Sequence, residues 1–204
     1  TQSENAVYTP GDPPLSELGG EQATLLGQRL RSMAFQGTIF SSPYLRTTQT
    51  ANLIARELDT TFQLAPAMRE YTGESLRTFT GNTLEQLRQV CDRIAVNAVL
   101  PYPWWTVELE DALAVRRRVG PFLDELIETH LGDVLLVGHG ASVGAVVHCL
   151  LREKAPEALD QAGPGWNCLL SAIRVKPTVQ ELFLNNADHL PRQKTTSNAV
   201  TYEE

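Results

Sequence analysis

Apolar residues recur at three- and four-residue steps in four stretches of the chain, and each predicts an amphipathic helix. After Ser16, a residue suited to capping, come Ala23, Leu26, Leu30 and Met33. Ser42 and Pro43 read as an N-cap and a first-turn proline ahead of Thr47, Ala51, Ile54, Ala55 and Leu58. Thr83-Leu84-Glu85-Gln86 has the form of a capping box, with Leu84, Leu87, Cys91 and Ile94 as the stripe behind it. A long helix over about 108 to 131 places Ala112, Val115, Val119, Phe122 and Leu126 inward; Pro121 is a kink point and Gly132 the stop.

Short β-type runs lie between these helices, at residues 37–41 and 62–64 and, most strongly, at Asp133-Val134-Leu135-Leu136-Val137. The unbroken apolar character of that last run predicts burial on both faces, as in the middle of a parallel sheet. Gly138-His139-Gly140 then turns into an apolar helix over 141–151. Runs at 169–175 and 179–184 flank Lys176-Pro177 as a hairpin at a sheet edge. Alternating helices and strands predict an α/β fold of one domain over residues 1–204. Residues 1–14 read as loop, 66–81 as a surface excursion, 101–105 as a stiff aromatic connector and 195–204 as a loose polar tail.

Charge narrows the partners. A net charge of -7 argues against a broad nucleic-acid or anionic-membrane face, yet permits a locally cationic pocket. No stretch approaches the roughly 20 apolar residues of a membrane span, and no signal peptide is visible. Cys91, Cys149 and Cys168 are widely spaced inside apolar runs, which reads as free thiols in a reducing, cytoplasmic setting.

Three positions could carry chemistry. His139 sits between two glycines where a buried strand meets a helix, a place where α/β sheets bind ligands and helix N-termini favour anions. The competing reading is a histidine capping a tight turn. Arg46, at the start of the second helix, can grip a phosphate with its planar fork, although surface arginines are common. Glu70 precedes a glycine and could give or take a proton; exposure is the default for a glutamate.

Their order along the chain resembles a known family. Asp12-Pro13-Pro14-Leu15-Ser16-Glu17-Leu18-Gly19 with Glu21-Gln22-Ala23 is similar to the DPPLTELG-x-QA segment of the histidine phosphatase (phosphoglycerate-mutase-like) superfamily. Ser41-Ser42-Pro43-Tyr44-Leu45-Arg46-Thr47-Thr48-Gln49-Thr50-Ala51 resembles its SSP-x-x-R-x-x-QTA motif. Arg69-Glu70 with Gly73 resembles the acid segment, with the glycine one residue early, and Leu136-Val137-Gly138-His139-Gly140 the second-histidine motif. Asn185 to Leu190 is similar to the N-x-x-x-HL ending, and the proline-rich lead-in leans towards ecdysteroid-phosphate and ubiquitin-associated SH3 phosphatases.

The resemblance implies a three-layer α/β/α sandwich with a mostly parallel central sheet, and phosphoryl transfer through a phosphohistidine. It makes Arg46 and His139 phosphate ligands and Glu70 the proton donor, with Glu74 the fallback. It implies no metal or other cofactor, and a phosphorylated small molecule or phosphoprotein as partner.

One element of the pattern is missing. The family's nucleophile lies in an Arg-His-Gly motif upstream of the DPPL segment, and that tripeptide does not occur here; the chain begins at Thr1, in the loop that follows it. Neither His130, His148 nor His189 has matching neighbours. Two expectations follow: a phosphatase whose nucleophile-bearing segment is missing from the chain, or a non-catalytic domain that binds phosphorylated ligands. Nothing favours a mutase. The absent motif ends a central strand in the family, so either another strand, with residues 3–9 the candidate, fills that place, or, if residues 1–9 are loop, the sheet shows a compensating rearrangement. Trp104 and Trp105, with the 66–81 excursion, are candidates for a substrate lid or for core.

Overall fold

A computed structural model describes residues 11–151 and 166–196, so most of the expected leading loop and of the tail lies outside the described residues. In chain order the elements are α1 (Glu17–Ser32), β1 (Thr38–Ser41), α2 (Leu45–Leu58), β2 (Phe62–Leu64), α3 (Leu84–Val90), α4 (Ala112–Thr129), β3 (Val134–Val137), α5 (Gly140–Leu151), β4 (Leu170–Arg174) and β5 (Gln180–Asn186). The first three strands form a parallel sheet in the order β2-β1-β3, with Ile39 opposite Phe62 on one side and Leu135 on the other. β4 and β5 pair antiparallel as a separate two-stranded sheet.

Side chains alternate across a strand, and that alternation builds the layers. Ile39, Phe62, Leu64, Leu135 and Val137 meet Leu26 and Leu30 of α1 and Ile54 of α2 on one face. Leu136 points the other way, into Val115, Val119 and Leu123 of α4 and Ala145 of α5. Phe40 takes the same side, edge-on to Phe122 at 5.9 Å. The result is the expected helix–sheet–helix sandwich. Local signals hold too: Ser16 Oγ accepts the Gly19 N–H at 3.1 Å, and the Thr83–Gln86 capping box is closed in both directions.

The departures are physically informative. All four residues of β3 are half-buried rather than buried, because among the described residues the strand pairs only with β1. The hairpin β4-β5 reaches the same core through Leu170 and Phe183 but, among the described residues, pairs with none of the first three strands. α2 starts two residues later than its capping signals suggest; Tyr44 is the extended N-cap residue, and the Ser42 hydroxyl turns to His139 instead. α3 stops at Val90, so Cys91 and Ile94 reach the core from non-helical backbone, where Phe62 donates to Arg93 O and accepts from Ala95 N, both at 2.9 Å. Met33 is the exposed C-cap of α1, Ala112 is exposed on the first turn of α4, and His130, not Gly132, ends that helix.

Residues 66–81 are no surface excursion. Met68, Thr72 and Phe79 are buried, and two 3-10 turns, Pro66–Met68 and Glu74–Leu76, fold the segment inward. Trp104 is core: its Nε1 donates to Asn82 O at 2.8 Å and its ring packs on Tyr44 and Phe79. A Cβ on Gly81 would lie 2.1 Å from that ring, so the contact requires glycine there. Cys91 is buried, and Cys149 and Cys168 are half-buried.

Candidate active site

The carboxyl ends of adjacent parallel strands form the natural binding edge of such a sheet. β1 runs through Ser42 into α2, placing Arg46 in that helix's first turn, and β3 runs through Gly138 into α5, placing His139 beside it. The His139 N–H donates to Ser142 Oγ at 3.0 Å, which fixes the turn. Glu70 arrives from irregular backbone just past the 3-10 turn at Pro66–Met68.

Arg46, Glu70 and His139 therefore meet at one point. An Arg46 Nη2 lies 3.1 Å from His139 Nδ1 and 3.7 Å from Glu70 Oε2, and Glu70 Oε2 lies 3.5 Å from His139 Nδ1. A guanidinium can only donate, so Nδ1 accepts from Arg46 and the imidazole proton sits on Nε2, donated to Ser42 Oγ at 2.9 Å. Tyr44 stands edge-on to the imidazole at 4.9 Å, and the Arg46 guanidinium lies 4.7 Å from its ring centroid. Glu74, by contrast, is exposed and pairs with Arg77 at 3.5 Å. His130 packs edge-on against Phe40, and His189 Nε2 lies 3.0 Å from the Cys168 carbonyl oxygen.

Burial tunes the charges. Desolvation, reinforced by the nearby Arg46 and Arg118 cations, holds His139 well below the ordinary histidine value, so the imidazole is neutral at pH 7. Burial raises the Glu70 carboxyl, opposed by the Tyr71 N–H and Arg46, a direction that suits a proton donor. Asp12 is raised to about 6 by burial, although its Oδ2 takes the Leu45 N–H at 2.6 Å and Arg46 Nη1 lies 3.2 Å from its Oδ1. Among the described residues no His/Cys/Asp/Glu cluster could hold a metal, and no helix is long and apolar enough to cross a membrane.

Comparison with known proteins bears on the family and the fold. The sequence pattern of the histidine phosphatase superfamily (branch 1) matches residues 1–188. The chain belongs to that superfamily. Probable phosphoglycerate mutase GpmB of Yersinia pestis and of Yersinia pseudotuberculosis is 33% identical to it over 167 residues, covering 79% of this chain and 74% of the relative. Its fold is similar to phosphoserine phosphatase of Entamoeba histolytica (TM-score 0.61, 21% identity, 89% and 88% of the two chains). It is similar also to the Bombyx mori ecdysone phosphate phosphatase (TM-score 0.63, 20% identity, 84% and 72%). A third likeness is the mycobacterial glucosyl-3-phosphoglycerate phosphatase (TM-score 0.61, 22% identity, 90% and 92%).

Several residues at this candidate site of the histidine phosphatase superfamily member escape a reading of the sequence. Asp12 is visible only as part of the DPPL motif, and its role as the buried counter-ion of Arg46 depends on a contact 34 residues away. Ser42 reads as a helix cap because Ser-Pro normally is one. Glu110 and Arg118 look like surface charges on a helix; the one available signal is their i, i+8 spacing along a single face of α4 and its lead-in, with three consecutive arginines at 116–118. Both prove largely buried, joined at 2.8 Å between Arg118 Nε and Glu110 Oε1.

Proposed function

We propose that this chain is the body of a phosphomonoesterase of the histidine phosphatase type, with the segment carrying the nucleophilic histidine missing from it. The convergence of Arg46, His139 and Glu70 within 3.1 to 3.7 Å of one another carries the reading. Arg46 and His139 would hold the phosphoryl oxygens and offset the charge that builds on them in the transition state. An incoming histidine attacks phosphorus, the ester P–O bond breaks, and Glu70 gives its proton to the leaving oxygen. Water then attacks the phosphohistidine and returns a proton to Glu70, restoring both groups. The substrate is a phosphorylated small molecule or phosphoprotein, in keeping with the phosphatases whose fold it shares.

The exposure of β3 is in keeping with the same reading, since among the described residues it pairs only with β1 and is half-buried along a wholly apolar sequence. The native full-length protein, quenched in alkali during turnover of p-nitrophenyl phosphate, should show one phosphohistidine per chain by mass spectrometry, upstream of Thr1. Turnover without any phosphohistidine would sink the covalent route.

A second reading has its own observation. Both ring nitrogens of His139 are engaged, by Ser42 and Arg46, so the imidazole found at the site among the described residues is built as a ligand rather than a nucleophile. A domain that binds phosphorylated ligands without hydrolysing them would show tungstate binding and no turnover in the full-length protein.

A further inference from the structure

Glu70 has no regular secondary structure to hold it, and the way it is held suggests a role for two residues outside the pocket. Arg118, on α4, donates Nη1 to Ala67 O at 2.5 Å, and Nη2 to Arg69 O at 2.9 Å and Glu70 O at 3.3 Å. Its Nε donates to Glu110 Oε1 at 2.8 Å. Glu110 closes the bracket: Oε1 also takes Arg69 Nη2 at 2.8 Å, Oε2 takes the Thr72 N–H at 3.1 Å, and the Glu110 N–H donates to Thr72 O at 3.0 Å. The backbone is thus gripped on both sides of Glu70, over residues 67 to 72.

We infer that Arg118, braced by Glu110, is a positioning residue that aims Glu70 at the bound phosphoryl group; this rests on Glu70 being the proton donor of the proposed reaction. Only a planar fork can reach three carbonyls of one irregular segment while a fourth donor anchors it to a carboxylate, and a lysine ammonium cannot reproduce that pattern. The pair is largely buried, with Arg118 and Glu110 side chains 13% and 8% exposed, so the geometry is not shared with water. The groups facing Glu70 are Arg46 from α2, His139 ahead of α5, Arg118 and Glu110 from α4 and its lead-in, and the Tyr71 N–H of its own segment.

The test is the pH dependence of tungstate binding to the full-length protein, followed by calorimetry between pH 5 and 8 in dilute tungstate, a dianion over that range. Ionised Glu70 repels the dianion and protonated Glu70 donates to it, so affinity falls as pH rises. Asp12, raised to about 6, adds its own share, and the Glu70→Gln curve isolates that share. Arg118→Lys keeps the charge and loses the fork, so it is expected to remove more than half of the Glu70-dependent part while affinity at pH 8 changes less than about threefold. Glu110→Gln, which keeps the shape and the Thr72 contact, is expected to do the same to a smaller extent. It decides the matter if Arg118→Lys does not unfold cooperatively. A uniform loss of affinity at every pH, or a full wild-type profile in folded variants, overturns the positioning role. If Glu70→Gln itself leaves the profile unchanged, the donor assignment fails instead, and the two failures are told apart.

Discussion

Replacing Arg46 by methionine is expected to weaken tungstate binding at least about 100-fold, and to destabilise the chain by about 3 kcal/mol at pH 7.5 but far less at pH 5. The binding term follows from losing charge-assisted hydrogen bonds to the dianion, each about 1.5–3 kcal/mol, where 1.4 kcal/mol is a factor of ten. The stability term comes from Asp12, which has no solvent exposure and loses its cation, leaving a buried charge uncompensated. Its sign with pH follows from the raised folded-state value of about 6 against an unfolded value of 3.8. The folded state holds the Asp12 proton more tightly, so this group's contribution is most favourable at acid pH and is lost as pH rises through 6. Removing Arg46, which lowers that value, moves the loss to higher pH and enlarges it. Urea denaturation at the two pH values reads the difference directly. An equal loss at both would show that Asp12 is not the residue through which Arg46 stabilises the fold.

Phe62→Ala should cost about 3–5 kcal/mol, a large part of the total stability of a domain this size. The ring is 1% exposed, the strand pairs in register with Ile39, and its peptide groups are tied to Arg93 and Ala95. Leu135→Ala, in the strand with the most apolar sequence of the chain, should cost only about 1–2 kcal/mol, because its site is half-buried and the deletion opens less of a cavity. Urea midpoints of the two variants decide it. Equal costs would mean that the outer side of β3 is covered in solution.

β3 also marks where reading a sequence reaches its limit. Hydrophobic patterning found every α-helix and strand named among the described residues, because periodicity depends only on which face of an element is dry. What it could not find was how dry. Val134 to Val137 read as doubly buried because an apolar run encodes a strand's intended surroundings, whereas burial depends on which neighbours are present. The candidate site divides the same way. Arg46 and His139 were legible because strand-to-helix turns position them locally, with glycines flanking the histidine. Asp12, Ser42, Glu110 and Arg118 matter through contacts with residues 8 to 97 positions away, and each has a more common local reading that the sequence cannot reject. The 66–81 segment was misread for a related reason: 3-10 turns have no long period to detect, so its buried Met68 and Phe79 were hidden in a polar-looking stretch.

The asymmetric pairing of the sheet has a mechanical consequence. Arg46 follows β1, which is paired on each side, whereas His139 follows β3, which among the described residues is paired on one. The two halves of the proposed anion site would therefore be mounted on supports of unequal stiffness. If the proposed site binds an oxyanion, Arg46 is expected to be the stiffer jaw and His139 the more compliant one, a difference that hydrogen exchange at the two strand ends would read.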